Sequence, residues 1–319
     1  MRAARNPPLK PATVRAALDL VGRPFRPGRN GVVCTRGGPW ADPGRPCPLV
    51  DNSVILVPLM TQRLSPGLAR HLLKDWDEIQ LRQDQYRLSR IDLMIDVLDA
   101  GMPSRFTVLD LGAGPGSVSR RILERIPRAR VIALDVHPSF VLIGERALSA
   151  YRDRCQWMNA DFRKRDWDAP LAGEPIDAVF SHAALHGLRS AETGRLYRTL
   201  ACHLPRGGMV LNGDRVPWHR RQRTLNDLAN GIREFRTRRG VRSSQHEFAD
   251  NFARWWAQTR EVTELRESNN RWKVRARNGK PVDGEVDFET HLRLLHEADF
   301  REATTVWQNL DVRVILAIK

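Results

Sequence analysis

At 319 residues with 41% hydrophobic side chains, the chain is long enough to bury a full α/β core and to carry a second, smaller subdomain. Its formal charge of +15 brings anionic and nucleic-acid partners into consideration, yet almost half of the excess lies in residues 1–50, where nine Arg or Lys stand against Asp19 and Asp42. A run of about 20 apolar residues is lacking, as is an apolar N-terminal stretch with a small-residue cleavage site, so the expectation is a cytoplasmic protein with no membrane span or secretion signal.

Residues 1–62 read as an irregular basic arm rich in Pro and Gly, with little periodicity to bury an apolar face and with Trp40 as its one anchor. It is either a solvated extension or a cover over a substrate pocket or a partner's surface. Cys34, Cys47, Cys155 and Cys202 are scattered, which predicts reduced thiols and no metal site, although Cys34 and Cys47 would be placed to pair under oxidation.

Residues 63–104 read as a helical segment. Ser65 followed by Pro66 fits an N-cap and first helical position, with the helix running to about Trp76. In the next run Leu88, Ile91, Ile95 and Leu98 recur at helical spacing, Met94 widens the stripe and Gly101 ends it. Residues 105–216 alternate strand and helix: strands at 106–111, 130–134, 155–158, 176–181 and 207–213, helices at 116–126, 138–152 and 191–203. Short apolar runs between helices predict a parallel sheet covered on both faces. Residues 217–284 read as an inserted helical cap over the substrate, with Leu225, Leu228, Ile232 and Phe235 as its apolar stripe. A helix and two strands complete the core within 285–319.

The segment VLDLGAGPG, residues 108–116, describes a strand, a glycine turn and a helix start. Glycines let the backbone approach a ligand closely, and the first turn of the helix presents unpaired N–H groups. Asp135, about 20 residues onward at the end of the second strand, is placed to accept hydrogen bonds from ribose hydroxyls. Ser117 occupies the position of the third glycine in the dinucleotide fingerprint, which weakens an NAD or FAD reading.

Together with ALD at Asp135 and NAD at Asn159–Asp161, this stretch resembles the class I S-adenosylmethionine-dependent methyltransferases, over roughly residues 105–212 and more loosely at the C-terminus. The resemblance implies a Rossmann-like seven-stranded α/β sheet of order 3-2-1-4-5-7-6 with an antiparallel hairpin at its end. It implies S-adenosyl-L-methionine as cofactor, held by Asp110, Gly112, Ala113, Gly114 and Gly116 on the loop, Asp135 and Val136 at the ribose, Asp161 and Phe162 at the adenine, and Ser181 nearby. Taken singly, the loop could serve folding alone and Asp161 could be a helix cap.

Methyl transfer needs the nucleophile, methyl carbon and leaving sulfur nearly in line, and a base only when the acceptor is acidic or protonated. The fourth strand ends in SHAALHG, where open α/β sheets present groups to a ligand crevice. His186 is the preferred base and His182 the alternative, and both have a structural reading as loop-shaping residues. Asp214 and Arg215 after the fifth strand, Trp255 and Trp256 in the cap, and Tyr86 are the candidate substrate-binding residues, with capping, solvent exposure and core packing as their ordinary roles.

These features point to methyl transfer onto an oxygen, nitrogen or carbon of a small molecule, a metabolite or natural product. An RNA methyltransferase is the alternative, motivated by charge and by runs such as Arg220–Arg223. The loop SHAALHGL lacks the acidic or Asn residue followed by P-P-aromatic that marks amino methylation of nucleic-acid bases. A non-catalytic cofactor-binding interaction protein is the third reading. A homo-oligomer paired through exposed helical additions stays open.

Overall fold

The computed structural model describes residues 63–276 and 286–319. The expectations placed on the basic arm, on Trp40, on Cys34 and Cys47 and on the end of the cap lie outside the described residues. Cys155 and Cys202 are free thiols.

Helix α1 (Pro66–Gln83) starts as its sequence predicts: Ser65 Oγ accepts the N–H of Leu68 at 3.2 Å and Pro66 occupies the first turn. It runs beyond Trp76 because the residues that follow contain no glycine or proline and few poor helix formers. Helix α2 (Arg87–Gly101) buries Ile91, Met94, Ile95 and Leu98, and on the same side Arg87 and Arg90, while Leu88 is only half-buried.

Five strands run parallel: β1 (Phe106–Leu111), β2 (Ala129–Asp135), β3 (Cys155–Asn159), β4 (Ala178–His182) and β5 (Met209–Arg215). At the chain's end β6 (Glu302–Asn309) and β7 (Val312–Ile318) form an antiparallel hairpin whose β7 pairs antiparallel with β5. The order β3-β2-β1-β4-β5-β7-β6 is the one the resemblance implied.

Alternation along the strands sends successive side chains to opposite faces. Leu109, Leu111, Ile132 and Leu134 face α5 (Ser190–His203) and α9 (Phe288–Glu297), while Val108, Val131, Ala178 and Leu211 face α2 and α3 (Ser117–Arg125). Both faces are covered, as a parallel sheet requires. Helix α4 (Pro138–Ala147) follows β2. It ends before the predicted position 152, where a turn of 3₁₀ helix at Ser149–Tyr151 finishes the segment.

The inserted region comprises α6 (Arg223–Arg238), α7 (Gln245–Glu261) and α8 (Thr263–Ala276). Helices α7 and α8 pack on α1 and α4 through a third apolar cluster of Leu72, Leu73, Ile143, Trp255 and Leu265. Helix α6 departs from expectation. Its stripe faces solvent, with Leu228 54% and Phe235 50% exposed, and Ala229 is its one buried residue. The opposite face is turned inward by polar contacts: Arg233 pairs with Asp311 in the β6–β7 turn, and the Arg236 guanidinium lies 5.2 Å from the ring centre of Tyr86. Ion pairing and cation–π contact therefore chose the face that hydrophobicity alone would have turned outward.

Candidate functional site

The carboxyl ends of β1, β2 and β4 converge on one crevice, because parallel pairing sets Leu111 beside Leu134 and carries His182 beside Gly213. The loop after β1 bends back through Gly112, Gly114 and Gly116, all in the left-handed region with φ of 82°, 57° and 102°. The N–H groups of Gly112 and Ala113 both donate to Leu134 O at 2.8 and 2.9 Å, which pins the loop to β2. A Cβ on Gly112 would stand 2.3 Å from the Cβ of Ala184, so only glycine allows the β1 and β4 loops to approach this closely.

A cavity of about 370 Å³ opens beside that loop. Asp110, Gly112, Ala113, Gly114, Asp135, Val136 and Phe162 line it, together with His182. Ser117 and Val118 reach it from the first turn of α3, Trp76 from α1, and His137 and Phe140 from the start of α4. Asp135 accepts the N–H of Gly114 and of His137, both at 2.8 Å, and burial pushes its carboxyl up to about 6. Asp110 accepts the Ser119 hydroxyl at 2.6 Å; burial, helped by the charge of Asp135, pushes it up to about 7. Burial holds the His137 imidazole down at about 4, and its Nδ1 accepts the N–H of Ser139.

This cavity fits a nucleoside bearing a positive charge. Two buried carboxylates face it, aromatic rings wall it, a Cβ at Gly112 would crowd it, and the buried Ser117 Oγ lacks a hydrogen-bond partner among the described residues. Of the other expected cofactor residues, Gly116 caps α3 and Ser181 lies beneath the site, donating to Leu111 O at 3.0 Å. Asp161 does not line the cavity: its two oxygens accept from the guanidinium of Arg163 at 2.8 and 2.9 Å. Burial would raise that carboxyl, but the hydrogen bonds and charge of Arg163 hold it below its ordinary range.

A second cavity, of about 380 Å³, adjoins the first, and Gln80, Arg87 and Ala183 line both. Ala183 adopts φ 57°, a left-handed conformation that a non-glycine residue holds only when its surroundings impose it. His186, Asp214, Arg215 and Tyr86 line the second cavity, so the structure brings these four predicted residues together. Asp214 lies on β5 itself and is buried. It accepts the N–H groups of Leu185 and His186 at 2.9 and 3.0 Å, that of Arg215 at 2.7 Å, and Nδ1–H of His186 at 3.0 Å. Burial alone would raise its carboxyl, but these bonds and the imidazole hold it below the usual range.

His182 is placed differently. Its Nδ1 lies 3.1 Å from Arg87 Nη1, and its Nε2 lies 2.9 Å from Arg90 Nη2 and 3.2 Å from Arg90 Nε. Burial and then the charges of Arg87 and Arg90 drive its proton affinity well down. A neutral imidazole has one accepting nitrogen, so one guanidinium receives the lone pair and the other only abuts the ring.

The cap tryptophans, expected as substrate residues, line neither of these two cavities. Trp255 is buried against α1, its indole N–H donating to Leu72 O at 2.9 Å, and Trp256 packs on His137 and Phe140 behind the first cavity. Sequence reasoning missed Trp76, His137 and Phe140 on the first wall and five arginines, Arg87, Arg90, Arg233, Arg236 and Arg242, on the second. A signal for two of them was present: Arg87 and Arg90 stand in phase with Met94 and Leu98 on the buried face of α2.

Residues 108–208 match the family model described as a methyltransferase domain. A trans-aconitate 2-methyltransferase of Azoarcus sp. (strain BH72) is 33% identical over 138 residues, 42% of this chain and 49% of that protein. A malonyl-[acyl-carrier protein] O-methyltransferase of Acetivibrio thermocellus is 33% identical over 90 residues, covering 28% and 29% respectively. The chain thus spans half or less of the length of these curated relatives. Among solved structures, the S-adenosylmethionine-dependent methyltransferase SibL in its apo form aligns with a TM-score of 0.48 and 14% identity, over 74% of this chain and 55% of that one. Residues 108–208 thus match a methyltransferase domain, and the strand order and glycine loop around that segment are those the resemblance implied.

Proposed function

We propose that the chain transfers a methyl group from S-adenosylmethionine to a small molecule held in the second cavity. The observation that carries this reading is the adjacency of the two cavities across Gln80, Arg87 and Ala183. A cofactor whose reactive end reaches that border faces an acceptor on the other side, and positioning of this kind supplies much of the catalysis of a transfer reaction. Bound in the first cavity, the cofactor contributes an electrophilic methyl group.

Asp135 would take the ribose hydroxyls, and Asp110 with the glycine loop would hold the cationic amino-acid part. Phe162, Trp76 and Phe140 would enclose the adenine. His186 is the base for an acceptor that must lose a proton: Asp214 orients its ring through Nδ1–H and stabilises the imidazolium once formed. His182 is excluded from that role by burial and by two flanking guanidiniums, which oppose proton uptake; its task is to position Arg87 and Arg90. The relatives' names specify trans-aconitate and malonyl-[acyl-carrier protein] as acceptors, and neither is a nucleic acid, which favours a non-nucleic-acid substrate here.

Calorimetry with S-adenosylmethionine, and with NAD as comparison, tests the reading. Selective binding of S-adenosylmethionine is expected, weakened about tenfold in Asp135→Ala by loss of charge-assisted hydrogen bonds. No binding by folded wild-type protein would overturn it.

A further inference from the structure

Among the described residues, the wall of the second cavity has an excess of positive charge. Six guanidiniums line it, contributed by Arg87 and Arg90 of α2, Arg215 of β5, Arg233 and Arg236 of α6, and Arg242 just beyond α6, against the three carboxylates of Asp84, Asp214 and Asp311. All three carboxylates are already engaged. Asp84 pairs with Arg90 at 2.7 Å, Asp311 with Arg215 at 3.0 Å and with Arg233, and Asp214 accepts from His186 and three backbone N–H groups.

Arg87, Arg236 and Arg242 therefore have no carboxylate within ion-pair distance among the described residues. Arg87 contacts the His182 ring, Arg236 lies over Tyr86, and Arg242 donates Nε–H to Gln83 O at 2.9 Å. Arg90 adds a second sign of incompleteness: its side chain is 4% exposed, it lines the cavity, and its Nη1 has no hydrogen-bond partner among the described residues. Crowding of like charges is also visible in proton affinity. Burial and then the charge of Arg233 lower Arg242, and burial with the charge of Arg90 lowers Arg87 to about 10.

Unpaired cations on a low-dielectric wall are costly unless a ligand supplies the missing charge, and a guanidinium offers a carboxylate or phosphate paired N–H donors. We infer that the acceptor is a small organic anion carrying at least two carboxylate or phosphate groups, held by Arg87, Arg90, Arg236 and Arg242 while its methyl-accepting atom points to the border at Ala183. The inference rests on the methyl-transfer reading of the same site. The volume of about 380 Å³ suits a compact acid.

The test uses the full chain saturated with S-adenosylhomocysteine. Succinate and pyrophosphate are titrated calorimetrically at low and high salt, with dimethyl succinate as the uncharged control. Binding of one anion, weakened by salt and absent for the diester, is expected; which anion binds separates a carboxylate site from a phosphate site. Arg236→Gln, and Arg236→Gln with Arg242→Gln, should lower that affinity about tenfold or more without changing affinity for S-adenosylhomocysteine. Cofactor binding with no binding of either anion, or anion binding indifferent to these variants, overturns the inference and leaves the methyl-transfer reading standing. Anion binding without cofactor binding overturns the methyl-transfer reading and, with it, the assignment of the anion as acceptor.

Discussion

At the scale of single residues, the two histidines of one loop show how neighbours decide chemistry. His186 and His182 are four positions apart, yet one is hydrogen-bonded to a buried carboxylate and the other is wedged between two guanidiniums. His186→Ala is expected to lower kcat by about 10²–10⁴-fold for an acceptor that must be deprotonated, with affinity for S-adenosylmethionine unchanged. Steady-state rates at saturating cofactor and acceptor check this, and an unchanged kcat would remove His186 from the chemistry. The loop and carboxylates that line the first cavity were legible in the sequence, because Asp110, Gly112, Gly114 and Asp135 are ordered by short loops and by adjacent parallel strands. Of the arginines only Arg215 was legible: Arg87 and Arg90 come from a helix before the sheet and Arg233, Arg236 and Arg242 from the insertion between β5 and β6, and only tertiary packing gathers them.

At the scale of elements, the α2 stripe was legible because it rests on periodicity, and the strand order because the resemblance of residues 105–212 implied it. The orientation of α6 was not, since its apolar and polar faces compete and the turn at Asp311 decides between them. Two of the three insert helices, α7 and α6, therefore carry opposite expectations. Trp255→Ala on α7 removes a buried indole and its hydrogen bond to Leu72 O, and should destabilise the protein by about 3–5 kcal/mol. Leu228→Ser on the exposed stripe of α6 should fall within about 0.5 kcal/mol of wild type. Urea unfolding of both variants distinguishes them; a large cost at Leu228 would mean that this stripe is covered in solution.

At the scale of the whole molecule, the buried carboxyls of the first cavity set a pH dependence of stability. The folded chain holds a proton on Asp110 up to about 7 and on Asp135 up to about 6, whereas an unfolded aspartate loses it near about 4. The contribution of these two groups is thus fully present below about 4 and is lost as pH rises through about 6 to 7. His137 and His291, held neutral by burial down to about 4, and His182 act in the opposite sense over part of this range. The difference between wild type and Asp110→Asn isolates the carboxyl: wild type should lose stability relative to the variant between pH 4.5 and 7.5 (about three decades of proton activity), as read by urea midpoints at each pH. A pH-independent difference would show that Asp110 titrates normally. The border between the cavities has a broader meaning. Arg87 belongs to both walls and leans on the same imidazole as Arg90, so a ligand that draws its guanidinium to one side changes the field on the other. On the methyl-transfer reading, donor and acceptor would be heterotropic effectors of each other, and by thermodynamic reciprocity the factor by which the first weakens the second is the factor by which the second weakens the first. On that reading, a donor and an acceptor that share this one guanidinium loosen each other, so a filled acceptor side hastens departure from the donor side.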